Sequence, residues 1–173
     1  VERWKSQQLI SFRNWEVEAV FVFEQGDSGI LFAHGDQGGG YSMAIEDGGL
    51  LFTHNGYGET LEINCGGVSE GKCSVILKVT PPDFLYWNAE ISLNGDVVAE
   101  KENLLALLAM APFQGIDIGI DRKSPVNWRL FENHGIFPFT GKIEKVIYRP
   151  GELTEFAGSK WIDVLRAAGT KYE

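Results

Sequence analysis

The chain has 173 residues, 44% hydrophobic and 23% charged, enough for one domain with its own core and unlike a disordered or fibrous sequence. Asp and Glu number 24 against 15 Lys and Arg, and the formal net charge of −9 argues against nucleic acid or an anionic membrane surface as partner. No apolar run approaches the roughly 20 residues of a membrane span. The opening Val1-Glu2-Arg3-Trp4-Lys5 has no signal-peptide pattern and no initiator Met, so a chain cut from something longer is expected.

Period-two alternation then dominates. In Trp15 to Glu24, one face holds Trp15, Val17, Ala19, Phe21 and Phe23. The other holds Glu16, Glu18, Val20, Val22 and Glu24, the mark of a strand covered on both sides at its middle. Further strands are predicted at Ile30–His34, Tyr41–Glu46, Lys72–Thr80, Ala89–Leu93 and around Ile143 and Ile147. Asp47-Gly48, Asn55-Gly56 and Asn94-Gly95 read as two-residue hairpin turns, because these residues tolerate positive φ. Glu102 to Met110 is short and apolar, a strand connection or a brief helix, and a terminal helix is predicted from about Lys160. Many short strands at about ten-residue spacing indicate an all-β, antiparallel two-sheet sandwich. Residues 1–150 form that sandwich, and 151–173 a partly helical extension packed on it or on a partner.

Several groups of residues invite chemistry. Gly35-Asp36-Gln37-Gly38-Gly39-Gly40 is glycine-rich, but a phosphate cradle needs a helix after it, and here a strand follows. His34 and His54 each close a strand on its apolar face, which suits satisfied, half-buried imidazoles better than metal ligands with Asp36; His134 stands apart. Glu16 with Glu18, or Asp117 with Asp121, have the parity for paired carboxylates of glycoside hydrolysis, although such acids are usually a strand's solvated face. Asp117 and Asp121 with loop carbonyls could also hold calcium; the competing reading has Asp121 pairing with Arg122 or Lys123 and capping the next loop. Tyr41, Tyr57, Trp87 and Trp128 lie at or near predicted loops, where an aromatic face can stack on a sugar ring or simply roof the core. Cys65 and Cys73, eight positions apart, are either two half-buried thiols or a disulfide closing a hairpin.

Two blocks carry a family resemblance. The first is GILFAHGDQGGGYSMAIEDGGLLFTHNGYG, Gly29 to Gly58. The second is LNGDVVAE, Leu93 to Glu100, continuing through DIGIDRKSPV to FPFTGKIEKVIY, Phe137 to Tyr148. Together they resemble the C-terminal domain of one group of bacterial arylsulfatase-like proteins, over roughly Ser11 to Tyr148. The resemblance implies a jelly roll like concanavalin A and laminin G modules, packed on a sulfatase-like catalytic domain, in a bacterial cytoplasm or periplasm. Sulfatase chemistry itself needs Cys/Ser-x-Pro-x-Arg. Cys65 is followed by Gly-Gly, Cys73 by Ser-Val, and Ser124 meets Pro125 one position too early. The expectation is therefore a non-catalytic accessory domain without a required cofactor. A stand-alone carbohydrate-binding, lectin-like module is the alternative, and exposed edge strands would permit a homodimer.

Overall fold

The computed structural model describes residues 1–107, 114–155 and 157. A short helix, α1 (Arg3–Ile10), precedes β1 (Arg13–Phe23), β2 (Gly29–Asp36), β3 (Gly39–Glu46), β4 (Gly49–Gly56) and β5 (Glu59–Gly67). Then come β6 (Gly71–Thr80), β7 (Tyr86–Leu93), β8 (Asp96–Leu105), β9 (Ile116–Ile118), α2 (Trp128–His134) and β10 (Lys142–Leu153). The strands form two five-stranded sheets: sheet A in the order β10-β1-β6-β7-β8, and sheet B in the order β5-β4-β3-β2-β9. All paired strands within them are antiparallel, so the expected two-sheet sandwich is the observed architecture.

The core lies between the sheets, where the inward sets of β1, β6 and β7 (Trp15, Val17, Phe21, Leu77, Ile91 among them) meet Phe32, Tyr41, Met43, Ile45, Leu50 and Phe52 of sheet B. A bulge in β2 between Ile30 and Phe32 turns both Leu31 and Phe32 into this layer.

Sheet B is covered on its other face as well. There Ile30, Ala33, Ala44 and Leu51 form a second apolar cluster with Val126 and Leu130, roofed by Phe137. This explains why every residue of β2 is buried, and all but a terminal residue of β3 and β4. Small outward residues let the cover approach. A Cβ on Gly40 would lie 2.5 Å from the His34 carbonyl oxygen and 2.8 Å from Val126 Cγ2, so Gly40 serves close packing. In the same way the backbone of Val1 lies directly against Gly115.

The cover is pinned by side chains. Asn127 caps α2 by accepting from Leu130 N (3.0 Å), while its amide donates to Thr53 Oγ1 (2.9 Å) and Glu62 Oε1 (2.6 Å). Arg129 forks onto both oxygens of Glu46 (3.0 and 2.7 Å) and reaches Glu62 with Nε (2.7 Å). Asn55, buried on β4, donates to the carbonyls of Gln37 and Val126, both at 3.1 Å.

Several expectations need correction. Asn55-Gly56 is not the turn: both residues belong to β4, and Tyr57-Gly58, at φ of 57° and 101°, make the reversal. Cys65 and Cys73 do not close a hairpin, because β5 and β6 belong to different sheets. Both are free, buried thiols, directed at the carbonyls of Ile63 and Ser69. The Glu102–Met110 stretch is strand as far as Leu105; residues 108–110, like the predicted terminal helix from Lys160, lie outside the described residues. The last strand runs through Pro150 to Leu153, which pairs with Arg13. Among the described residues no helix is long and apolar enough to cross a membrane.

Candidate functional site

With sheet B covered, the broad sheet face that remains open among the described residues is the outer face of sheet A. Its register aligns side chains directly across the strands, since antiparallel partners point the same way. Glu16 of β1 pairs with Arg149 of β10 on one side and Lys78 of β6 on the other. Lys78 pairs with Glu90 of β7, and Glu90 with Glu100 of β8. One row of five charged residues therefore crosses all five strands. The next row is Ile147, Glu18, Ile76, Ser92 and Val97, with aliphatic residues at three of its five places.

At the β10 end the charges are locked together. Arg149 donates to Glu16 (2.8 Å) and Glu18, and Ser74 Oγ donates to Glu18 at 3.2 Å. The Arg149 hydrogen bond holds the Glu18 carboxyl below its ordinary range. Beside this clamp lies a depression of about 340 Å³ lined by Glu16, Lys78, Thr80 and Arg149.

At the β8 end the charges are open. A second depression, about 480 Å³, shares Lys78 and Thr80 with the first and adds Asn88, Glu90, Glu100, Lys101 and Glu102. Its lip is a bulge: Trp87 pairs with Leu104 and Ala89 with Lys101, so Asn88 faces both Glu102 and Asn103. Asn103 adopts φ 59°, and its N–H donates to Asn88 Oδ1 at 3.2 Å. Among the described residues, Lys78, Lys101, Glu90, Glu100 and Glu102 form no ion pair. Together the depressions form a groove with one end of locked charges and one end of available donors and acceptors.

The residues singled out from the sequence are scattered rather than gathered. Tyr41 is 1% exposed and Trp87 4%, both in the core, where Trp15 stacks on Tyr41 and meets Trp87 edge-on. No sugar ring can stack on either. Tyr57 is 45% exposed at the β4–β5 turn, its hydroxyl donating to the Ala106 carbonyl at 3.2 Å. Trp128 is 48% exposed at the start of α2, tilted against Phe131 on the cover of sheet B. Asp117 is held by Arg122, at 2.6 Å from Nη2 and 3.2 Å from the backbone N–H. Asp121 is buried and accepts from Val126 N at 2.8 Å, which caps the loop as expected, but the expected pairing with Arg122 or Lys123 is not formed: Arg122 pairs with Asp117 instead. Burial, with Asp117 and Asp36 nearby, pushes its carboxyl up to about 7. The two aspartates thus serve different partners. Among the described residues, no three His, Cys, Asp or Glu side chains are placed to hold a metal ion. Glu16 and Glu18 share one arginine, which deprives that pair of a general acid.

The histidines are structural. His34 lies within hydrogen-bond distance of Tyr41 Oη (3.0 Å) and Ser6 Oγ (2.9 Å), and Tyr41 Oη donates on to Tyr148 Oη at 3.4 Å. Burial lowers its pKa to about 3. His54 Nε2 donates to the Leu105 carbonyl at 3.0 Å, and burial lowers its pKa to about 4. His134 stacks on Phe137 and reaches Glu46 at 2.8 Å.

Sequence reasoning missed Lys78, Glu90, Glu100, Lys101 and Arg149. Alternation marks Lys78, Glu90, Glu100 and Arg149 as outward-facing, while Lys101 pairs with buried Ala89; only the strand order brings β10, β1, β6, β7 and β8 together.

No family model matches the chain, and no curated protein matches it. Solved structures do. The carbohydrate-binding module CBM40 of a Ruminococcus gnavus IT-sialidase, bound to α2,3-sialyllactose, aligns with a TM-score of 0.60 and 15% identity, over 86% of this chain and 81% of that one. Domains LG4-5 of the mouse laminin α1 chain align with a TM-score of 0.60 and 11% identity, over 85% of this chain and 38% of that one. The binding domain of botulinum neurotoxin DC, in complex with rat synaptotagmin II, gives a TM-score of 0.52 and 13% identity, over 94% and 37%. At these identities the likeness establishes the fold, a jelly roll of the concanavalin A and laminin G kind. Nothing in the comparisons ties the chain to a sulfatase.

Proposed function

We propose that this chain is a non-catalytic carbohydrate-binding module whose ligand lies in the groove on the outer face of sheet A. The observation that carries the reading is the 480 Å³ depression, where Lys78, Lys101, Glu90, Glu100 and Glu102 stand without ion pairs beside Thr80 and Asn88. A polyhydroxylated ligand brings donors and acceptors together, and that is what such a surface can satisfy. The sialidase module bound to sialyllactose supports a sugar as ligand at the level of the fold. The acid pairs named in the sequence are engaged in ion pairs or loop capping, which supports a binding rather than a hydrolytic role.

A glycan array probed with the wild type and with the Lys78→Ala/Lys101→Ala double variant tests this. Wild-type signal on defined glycans, lost in a variant with unchanged circular dichroism, is the expected result. Absence of wild-type binding to any sugar at millimolar concentration overturns the reading. Binding is expected to survive EDTA, because Asp117 and Asp121, the sequence candidates for calcium, already have protein partners. The narrower role of accessory domain to a sulfatase-like enzyme rests on the two sequence blocks. Exposed Trp128 and Ile136, on and just beyond α2, are the apolar residues such a neighbour would cover.

A further inference from the structure

Resting on the binding-module reading, we infer that the groove selects an uncharged, hydroxyl-rich oligosaccharide laid across the strands, and disfavours acidic sugars. The row Arg149, Glu16, Lys78, Glu90, Glu100 alternates in sign over its first four places and spans about 19 Å, four inter-strand gaps, which is long enough for several sugar rings. Each cation has carboxylates as neighbours. Lys78 lies between Glu16 and Glu90, and Arg149 is clamped by Glu16 and Glu18. A ligand carboxylate or sulfate approaching any of these cations also approaches two like charges, which cancels the attraction at such spacing. It would also leave the glutamates without donors.

A neutral sugar avoids both penalties, because each hydroxyl donates to a carboxylate while accepting from an ammonium. The adjacent row supplies the second requirement. Ile147, Ile76 and Val97 stand at alternate strands of that row, with Glu18 and Ser92 between them, just beyond the residues that line the depressions, so a ligand on the charged row meets aliphatic side chains at its edge. A pyranose ring has the same two-sided character, hydroxyls at its rim and C–H groups on its face.

The test is an amide chemical-shift titration of the whole chain with cellohexaose, mannohexaose, xylohexaose, 3′-sialyllactose and a heparin hexasaccharide. A neutral hexasaccharide is expected to shift the amides of Lys78, Glu90 and Ile76, with affinity at least about tenfold above that for either anionic probe. The Glu90→Gln/Glu100→Gln variant removes two acids of the row, one of them directly beside Lys78, and is expected to gain heparin binding severalfold while losing neutral-sugar binding. Tighter binding of sialyllactose or heparin by the wild type, at the same amides, overturns the ligand class and leaves the module reading standing. No shift at these amides with any probe overturns both.

Discussion

In sheet B the outward residues of β2, β3 and β4 are, but for Glu46 at the end of β3, small, aliphatic or amide-bearing, and the segment from Gly119 to Phe139 lies down over them. In sheet A one outward row, Arg149, Glu16, Lys78, Glu90 and Glu100, is charged throughout, and that face stays open among the described residues. The strands of sheet A carry Arg13, Lys72, Lys78, Lys101, Lys142, Lys145 and Arg149, whereas those of sheet B carry no Lys or Arg at all. Both sheets use the same alternation to bury their inner faces. What separates a structural sheet from a recognition sheet here is side-chain length and charge on the outer face, because a layer can close only over residues that leave it room and need no water.

That contrast can be broken most severely at the cover. Leu130→Ala empties a buried site between α2 and sheet B and is expected to cost about 2–5 kcal/mol in denaturant unfolding. A loss near zero would mean that the cover is not part of the cooperative unit.

The next effect is on pH. His34 and His54, with folded pKa values of about 3 and 4 against an unfolded value near 6.5, are neutral in the fold and protonated in the unfolded chain between about pH 4.5 and 6.5. Asp121 works the other way: with a folded pKa of about 7 it holds a proton that the unfolded chain has released. The unfolded state therefore binds one proton more than the folded state, and stability should rise with pH by about 1.4 kcal/mol per unit across that window. It should then level off or fall slightly toward pH 7. Asp121→Asn removes the opposing group, so the slope should approach about 2.7 kcal/mol per unit and the fall near pH 7 should vanish. Unfolding curves at half-unit pH intervals for both chains decide the matter, and an unchanged slope in the variant would show that Asp121 is ionised in the fold.

A smaller loss is expected at Asn55. Asn55→Ala strips donors from two carbonyls over sheet B and should cost about 1–3 kcal/mol by thermal unfolding. Smallest of all is sheet A, where Lys78→Ala should change stability by no more than about 0.5 kcal/mol. A large loss there would make the charged row a structural feature and end the contrast between the two faces.

The strands legible in the sequence are those whose inner face is continuously apolar. Trp15 to Phe23 and Cys73 to Val79 announce themselves, and both follow the expected parity in the structure. β8 was obscured because its second half, Glu100 to Asn103, carries four polar residues around a bulge. α1 was obscured because Arg3–Ile10 has too few apolar residues to show a helical stripe. α2 spans only seven residues and depends on Asn127 and Gly135 at its ends, signals that acquire meaning only once sheet B lies beneath. The groove was harder still. Aromatic residues drew attention to Tyr41 and Trp87, yet both share parity with the core residues of their own strands. Lys78 and Glu90 look like ordinary surface charges until β6 and β7 are placed side by side.

The order of strands has a consequence for how the molecule is made. β2 to β5 are successive hairpin neighbours, so that meander needs only contacts that are near in sequence and can pair as soon as it emerges. β1, by contrast, lies between β6 and β10, and its partner Arg149 is 133 positions from Glu16. Sheet A therefore cannot close until Lys142 to Leu153 have been synthesised, and the edge bearing Arg149 is the last part of the groove to arrive. A nascent chain released before Lys142 would hold a finished meander beside a first strand paired with β6 alone, its other edge open to any chain within reach.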